Sequence, residues 1–504
     1  MPTHDRSDSP CPIVVAALSL LASALLLAGC SSDEQRWQEA QDADTIEAYE
    51  SYIRRHADGQ YAEDASARLD YLRETAIFRA IAADDLEAVK HELDMGFGID
   101  DVEVAGMAPL HVAGERCRME IAKFLVDAGA DVNTTGKARA TPLHWAAGAG
   151  CLDIVNFLLS EGADPLAEVP HSLSGYVVKG GGAEFFGGND YSTKGTPLHW
   201  AAAGGHERVV ERLLEVSDID ALNSSAESPL FLAAAAADVE TAKLLLDAGA
   251  KVEIDESARF GPSPKSAGQA IHYAASVEVA KLLQEHGARL DTVATHRGMP
   301  LHVAAYRGHD ELVDYFLSEG LDPDIAGPWD VDGWPHDLPP SWLAAFGGHM
   351  ETLKTLERHG ANLEFDAGSR VGGTLLHAAA LSGDTDTLRY LLDKGLEIDA
   401  RGSTPSGQPL MPAMGNMTPL AVASRYGRLE AVELLVDSGA DINAQVYEAG
   451  WSMIDMPLVT QQTDVAKFLL ERAIDIPFSA SEIESRNTSD EIKAMLRKHL
   501  TTQD

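Results

Sequence analysis

Thr141-Pro142-Leu143-His144-Trp145-Ala146-Ala147, followed by an apolar stretch and then by Gly162-Ala163-Asp164, is the segment from which the rest of the chain can be read. Thr and Pro are a helix cap and a first-turn residue, so a short helix starts at Thr141. The Ala pair leaves that helix nearly bare on one side, where a second helix can pack closely. Glycine at position 162 supplies the left-handed exit that ends the next helix. One such unit is too short to bury its apolar face alone, so it must stack on copies of itself.

Copies are present in both directions. With the His144 position as the reference slot, the series runs Phe78, His111, His144, His199, Phe231, His272, His302, Trp342, His377, Ala421 and Asp455. The spacings are 33, 33, 55, 32, 41, 30, 40, 35, 44 and 34, a base period of 33 with insertions. This pattern resembles the ankyrin repeat signature over roughly residues 75 to 475. The resemblance implies an all-α fold, a solenoid of about eleven helix-turn-helix repeats with long inserted finger loops. The insertions fall near residues 166–194, 251–268, 321–339 and 396–416, at the finger edge, as binding loops or disorder. The repeat at His272 is about three residues short before Gly287, which predicts a clipped helix and a local bend. A helix near Glu491 to Leu500 is expected to cap the stack.

Upstream of the repeats, Ile13 to Ala28 is an apolar run of signal-peptide length that ends in Leu27-Ala28-Gly29-Cys30. It is short for a membrane span. The tetrapeptide resembles a bacterial lipobox, which implies lipid on Cys30, and Ser31-Ser32 behind it imply routing to the outer membrane. Asp44-Thr45-Ile46-Glu47 reads as a helix cap, with Ala48, Tyr49, Tyr52 and Ile53 at helical spacing and a second helix through Ala62, Ala65, Leu69 and Leu72. This pair resembles one tetratricopeptide-like hairpin. The expected organisation is a leader over 1–29, a lipidated N-terminus and hairpin over 30–74, the array over 75–478, and a capping helix and tail over 479–504.

No catalytic constellation emerges. The slot histidines are spread one per repeat instead of converging on a metal, and the family uses them for backbone hydrogen bonds. The glycine-rich run Lys179 to Gly188 lacks the GKS/T of a phosphate loop. Asp322, Asp324, Asp330 and Asp332 lack the spacing and bidentate Glu of a calcium loop. Cys117 and Cys151 are the one pair left outside the N-terminal segment, and their one-residue register offset favours two free or buried thiols over a bridge. No cofactor and no metal is expected, and a small-molecule substrate has no support.

The net charge of −40 disfavours nucleic acid and anionic lipid as partners. It fits a basic protein partner or a saline setting. In the ankyrin pattern Trp145 and Trp200, directly after the slot, point to the core, whereas the two positions after the Ala pair face the groove. Those positions are small or polar early in the array and become Tyr306-Arg307, Phe346-Gly347, Leu381-Ser382 and Arg425-Tyr426 later. The expected partner surface is therefore Tyr306, Arg307, Phe346, Leu381, Arg425 and Tyr426, extended by the finger residues Trp329 and Trp334. Taken together, the sequence points to a non-enzymatic, lipid-anchored envelope scaffold facing the periplasm. An acidic spacer without a dedicated partner, and an immunity or inhibitor lipoprotein, are the alternatives.

Overall fold

The computed structural model describes residues 33–503 except 58, 103–105, 137–138, 170–194, 255–268, 295–296, 332–333, 366–372, 402–416, 447–451, 473, 477–478, 480–481 and 484–488. The leader, Cys30, the glycine-rich run at 179–188 and most of the fingers near 166–194, 251–268 and 396–416 therefore lie outside the described residues. Two compact units are present, Met1–Ala146 with Asp153–Asp164, and Ala147–Leu152 with Pro165–Asp504.

The first unit opens with helices over 33–43, Ile46–Arg55 and Ala62–Glu74. Thr45 caps the second as its sequence suggests, its hydroxyl accepting from the Ala48 N–H at 3.2 Å. Trp37 binds the three together, with ring centroids 6.0, 5.6 and 5.4 Å from Tyr49, Tyr52 and Tyr61. Arg68 holds Asp44 through two hydrogen bonds of 2.9 and 2.7 Å, and this contact keeps the Asp44 carboxyl below its usual range.

Each slot in the series sits in a short first helix paired with a longer second helix. Repeat two has Pro109–Glu115 and Met119–Asp127; repeat seven has Pro300–Arg307 and Asp310–Ser318. Repeat six is clipped as its spacing requires: its first helix is a 3-10 turn, Ala270–Tyr273. The Ala275 N–H there donates to the Ala234 carbonyl of repeat five. Small residues make close stacking possible, and Ala201, Ala233, Ala305, Ala345 and Ala379 are fully buried. Trp145 and Trp200 are core residues, as expected. Helix Asp490–Gln503 packs on the last repeat through the Lys467–Glu491 pair at 2.7 Å and a His499 Nε2 contact to the Ile474 carbonyl at 3.0 Å.

One finger is ordered as a β-hairpin: β1, Gly327–Val331, pairs antiparallel with β2, Trp334–Leu338, placing Trp329 opposite His336.

The turn between paired helices carries a left-handed residue six positions after the slot. It is glycine at Gly308 (φ 73°) and Gly348 (φ 75°) but not at Asp84, Cys117, Ala237 and Gln461, whose φ values are 60°, 55°, 59° and 60°. Cys117 and Cys151 are both disulfide-bonded, which corrects the expectation of thiols. The left-handed backbone at Cys117 aims its Cβ differently from a residue in an ordinary turn, so register counting along the sequence misjudges its direction. The same strain makes a prediction. Ala237→Gly should raise stability by about 1 kcal/mol, because a left-handed conformation costs an L-residue that much. Gly308→Ala should lower it by more, since its Cβ would lie 2.5 Å from His349 Nδ1. Urea denaturation midpoints check both signs.

Candidate functional site

The slot histidines fix the edges on which any site is built. Nδ1 of His111, His144, His199, His272, His302 and His377 accepts the backbone N–H three residues earlier at 3.0 to 3.2 Å. With Nδ1 accepting, the proton is on Nε2; at His272 that atom is buried without a hydrogen-bond partner among the described residues, whereas at His111, His199, His302 and His377 it donates onward. His111 reaches the Ala140 carbonyl (2.8 Å), His302 that of Leu338 (3.1 Å) and His377 that of Met417 (2.9 Å). At two of the five slots that hold another residue, the reason is local. Trp342 follows Pro339, which has no N–H to offer. Asp455 substitutes for the imidazole by accepting from the Ser452 N–H and Oγ–H, both at 2.9 Å.

A second ladder sits in the turns. His206 Nε2 donates to the Gly148 carbonyl (2.8 Å), His349 Nε2 to that of Tyr306 (3.0 Å) and Arg428 Nε to that of Leu381 (3.0 Å). Each closes an otherwise unsatisfied carbonyl at the C-terminal end of the preceding first helix. The groove-facing positions therefore project from rigid, fully bonded helix ends.

Of the eight residues expected to bind a partner, the structure divides the set. Tyr306 and Phe346 are half-buried and stacked, with centroids 5.9 Å apart. Arg307 is half-buried and places its guanidinium 4.8 Å over the Tyr273 ring, which itself lies 4.4 Å from Phe231. Arg425 is half-buried, and Tyr426 is 39% exposed. Two positions need correction. Trp329 is 2% exposed because β1 folds back onto the ridge: its ring lies 5.0 Å from Tyr306 with Arg297 5.5 Å over it. Leu381 is 9% exposed, an apolar side chain buried near the end of helix Leu375–Ser382, whose carbonyl accepts from Arg428 Nε. Trp334 is placed on β2 opposite Val331, and its side chain lies outside the described residues.

Sequence reasoning passed over Val459, which occupies the Tyr306-equivalent position of the last repeat and is 54% exposed. The count of four residues past Asp455 would have found it. It also passed over the hairpin, although Asp332-Gly333 between aromatic and apolar residues is a strong two-residue turn signal.

The charge distribution is more informative than the total. Among the first helices of the second unit, from Pro197–Ala203 to Asp455–Val459, the single carboxylate is Asp455, buried in its capping role, and the cations are Arg307 and Arg425. Carboxylates begin every second helix of that unit: Glu207, Glu240, Glu278, Asp310, Glu351, Asp386, Glu430 and Asp464. Others tie repeats together: Asp324 accepts the Asn362 N–H at 2.8 Å and Asp399 the Asp441 N–H at 3.0 Å. Asp322 accepts the Asp324 N–H at 3.0 Å, a local bond within the loop after repeat seven. A cleft of about 420 Å³ between second helices is lined by Asp310, Glu311, Asp314, Tyr315 and Arg358. The first helices of the second unit are thus acid-poor and its second helices acid-rich.

Family models for ankyrin repeats match residues 77–168 and 178–256 as multi-copy blocks and 299–327, 371–400 and 415–446 as single repeats, together just over half of the chain. Among known proteins, the human transient receptor potential cation channel subfamily A member 1 is 28% identical over 242 residues, covering 41% of this chain and 21% of its own. A probable E3 ubiquitin-protein ligase of Oryza sativa subsp. japonica is 28% identical over 173 residues, 31% of this chain and 33% of its own. An ankyrin repeat and KH domain-containing protein of Caenorhabditis elegans is 28% identical over 252 residues, 49% of this chain and 8% of its own. The chain spans a third or less of each of these relatives. A channel, a ligase and a KH protein have no activity in common, so the likeness carries the repeat architecture alone.

The buried slot histidines make the array sensitive to acid. Burial pulls the His111, His272 and His302 pKa values down to about 4 from the ordinary 6.5. The unfolded chain therefore takes up these protons first. Stability is complete above about pH 6.5 and is lost as pH falls from 6.5 toward 4, by up to about 3 kcal/mol per ring. Urea midpoints from pH 7.5 to 5 should fall, and the three rings should stay neutral in the NMR of the folded protein at pH 6; rings titrating near 6.5 would contradict this.

Proposed function

We propose that this chain, which belongs to the ankyrin repeat family, is a non-enzymatic binding scaffold in a bacterial envelope. It binds a protein partner along the first-helix ends of repeats seven to eleven. The observation that carries this reading is the exposed pair Tyr426 and Val459, with the half-buried Arg425 beside Tyr426. The chain covers its neighbouring aromatics with its own residues, Trp329 on Tyr306 and Arg307 on Tyr273, but leaves Tyr426 and Val459 open to solvent. Exposed aromatic and Arg side chains on a rigid face are the composition that dominates interface energies.

Anchoring is part of the proposal and rests on the leader sequence. Lipid on Cys30 would hold the protein at the periplasmic face of the outer membrane. The first described helix begins at residue 33, three residues beyond that cysteine, so the tether would be short and the three-helix segment over 33–74 would act as a spacer. Among the described residues no helix is long and apolar enough to cross a membrane, so attachment would depend on the lipid.

Two outcomes are expected. Cys30→Ser should abolish the acylation mass increment seen on the N-terminal peptide of the unaltered protein and leave the leader over 1–29 uncut, read by mass spectrometry. In-cell crosslinking followed by pull-down should enrich one prominent envelope protein, and a folded Tyr426→Ala, Val459→Ala variant should lose it about tenfold. An unchanged profile would remove the binding role from this face.

A further inference from the structure

Three kinds of polar tie join neighbouring repeats, and the junction of repeats seven and eight has all of them. His302 Nε2 donates to the Leu338 carbonyl, His349 Nε2 donates to the Tyr306 carbonyl at the end of the previous first helix, and Asp324 accepts the Asn362 N–H of the next loop. The junction of repeats six and seven has none of the three among the described residues. We propose that it is a joint: repeats seven to eleven, with the C-terminal helix, form a cooperative block that opens and unfolds separately from repeats four to six. This goes beyond the scaffold reading and does not rest on it.

The cause begins with chain length. Repeat six is three residues shorter than the base period of 33, and the loss falls in its first helix, the 3-10 turn Ala270–Tyr273, where repeat seven has Pro300–Arg307. The backbone leaves that turn at Ala274 (φ −49°, ψ 123°), and Ser276, four residues past the slot, already caps the second helix by accepting the Val279 N–H at 3.3 Å. His309 stands seven residues past its slot, as His206, His349 and Arg428 do past theirs. The helix-end carbonyl that it would close went with the missing turn, and its ring forms no hydrogen bond. His272 Nε2 is buried without a partner: the Thr292 and Gly298 carbonyls act on the ring, yet neither forms a hydrogen bond with it. Asp291 lies four residues past Gly287, as Asp324 does past Gly320, but it turns to Arg289 of its own loop through two bonds of 2.9 Å.

What remains between six and seven is side-chain contact: Arg307 over Tyr273 at 4.8 Å, Lys281 over Tyr315 at 5.2 Å, and the Tyr315 hydroxyl donating to Gln284. On its other side repeat six is held by main chain, with the Ala275 N–H donating to the Ala234 carbonyl at 3.1 Å and Tyr273 lying 4.4 Å from Phe231. The junction of eight and nine also lacks the three ties among the described residues. It keeps two full first helices, Pro340–Gly347 and Leu375–Ser382, and Glu357 there accepts from Tyr390 and Lys394 of the next second helix. The junction of six and seven combines lost ties with a lost helical turn. A stacked array is coupled through its nearest-neighbour interfaces, so a weak one divides its cooperativity at that point.

Pulsed hydrogen–deuterium exchange along a urea gradient, read by mass spectrometry on the full chain, follows each repeat separately. Peptides of repeats four to six are expected to share one unfolding midpoint and those of repeats seven to eleven another. Val210→Ala, at a fully buried position of repeat four, should lower the first midpoint by about 0.5 M urea and leave the second in place. Val432→Ala, the equivalent position of repeat ten, should do the reverse. Tyr315→Phe removes the hydrogen bond to Gln284 with little change of shape, and it should lower the smaller of the two midpoints alone, because the junction is already broken when the other block unfolds. A single midpoint that both valine substitutions move in every peptide overturns the proposal. So does a boundary placed elsewhere, with peptides of repeats six and seven moving together.

Discussion

The bond that the slot imidazoles His111, His199, His302 and His377 make to the next carbonyl along the array is the constraint on which the rest depends. It is a single residue serving two neighbours: Nδ1 accepts the N–H that starts its own helix, and Nε2 donates to the carbonyl that precedes the following one. Removing the ring would leave a buried donor and a buried acceptor unsatisfied, at about 1–3 kcal/mol each. Their apolar contact faces are largely alanine and leucine, so register between repeats is specified by polar contacts: the slot rings, the turn ladder and the Asp-to-amide bonds such as Asp324 to Asn362.

That arrangement explains why the function is displaced to the helix ends. A first helix of seven or eight residues has one face against its own second helix and two against neighbouring repeats, so its buried positions are fully committed. What remains is the last turn, positions such as Tyr306, Arg307, Arg425 and Tyr426. The turn ladder from His349 and Arg428 closes the helix carbonyls there, so side chains project from a backbone with no conformational slack. Such a surface can bind without ordering costs that a flexible loop would incur.

Much of the fold was legible because its determinants are local. Thr-Pro starts, alanine pairs and left-handed glycines act within a few residues, so their spacing exposed every repeat, including the clipped one at His272. The site was less legible because burial is decided between repeats. Nothing local to Trp329 announces that its strand returns to Tyr306, and nothing local to Leu381 announces that its carbonyl is met by Arg428, 47 residues later. The charge asymmetry lay in the sequence all along. It becomes visible once first and second helices are separated, because a chain-wide total of −40 averages an acid-rich row with one that is nearly free of acid.

The central claim is that partners meet the chain at the first-helix ends of the last repeats and not on the acidic second helices. Site-specific photo-crosslinking in living cells tests it most directly, with benzoylphenylalanine placed singly at Tyr426, at Val459 and, on a second helix, at Tyr315. The account predicts one shared adduct from positions 426 and 459 and none from 315. An adduct confined to position 315, or no adduct from 426 and 459 in a correctly localised protein, would contradict it.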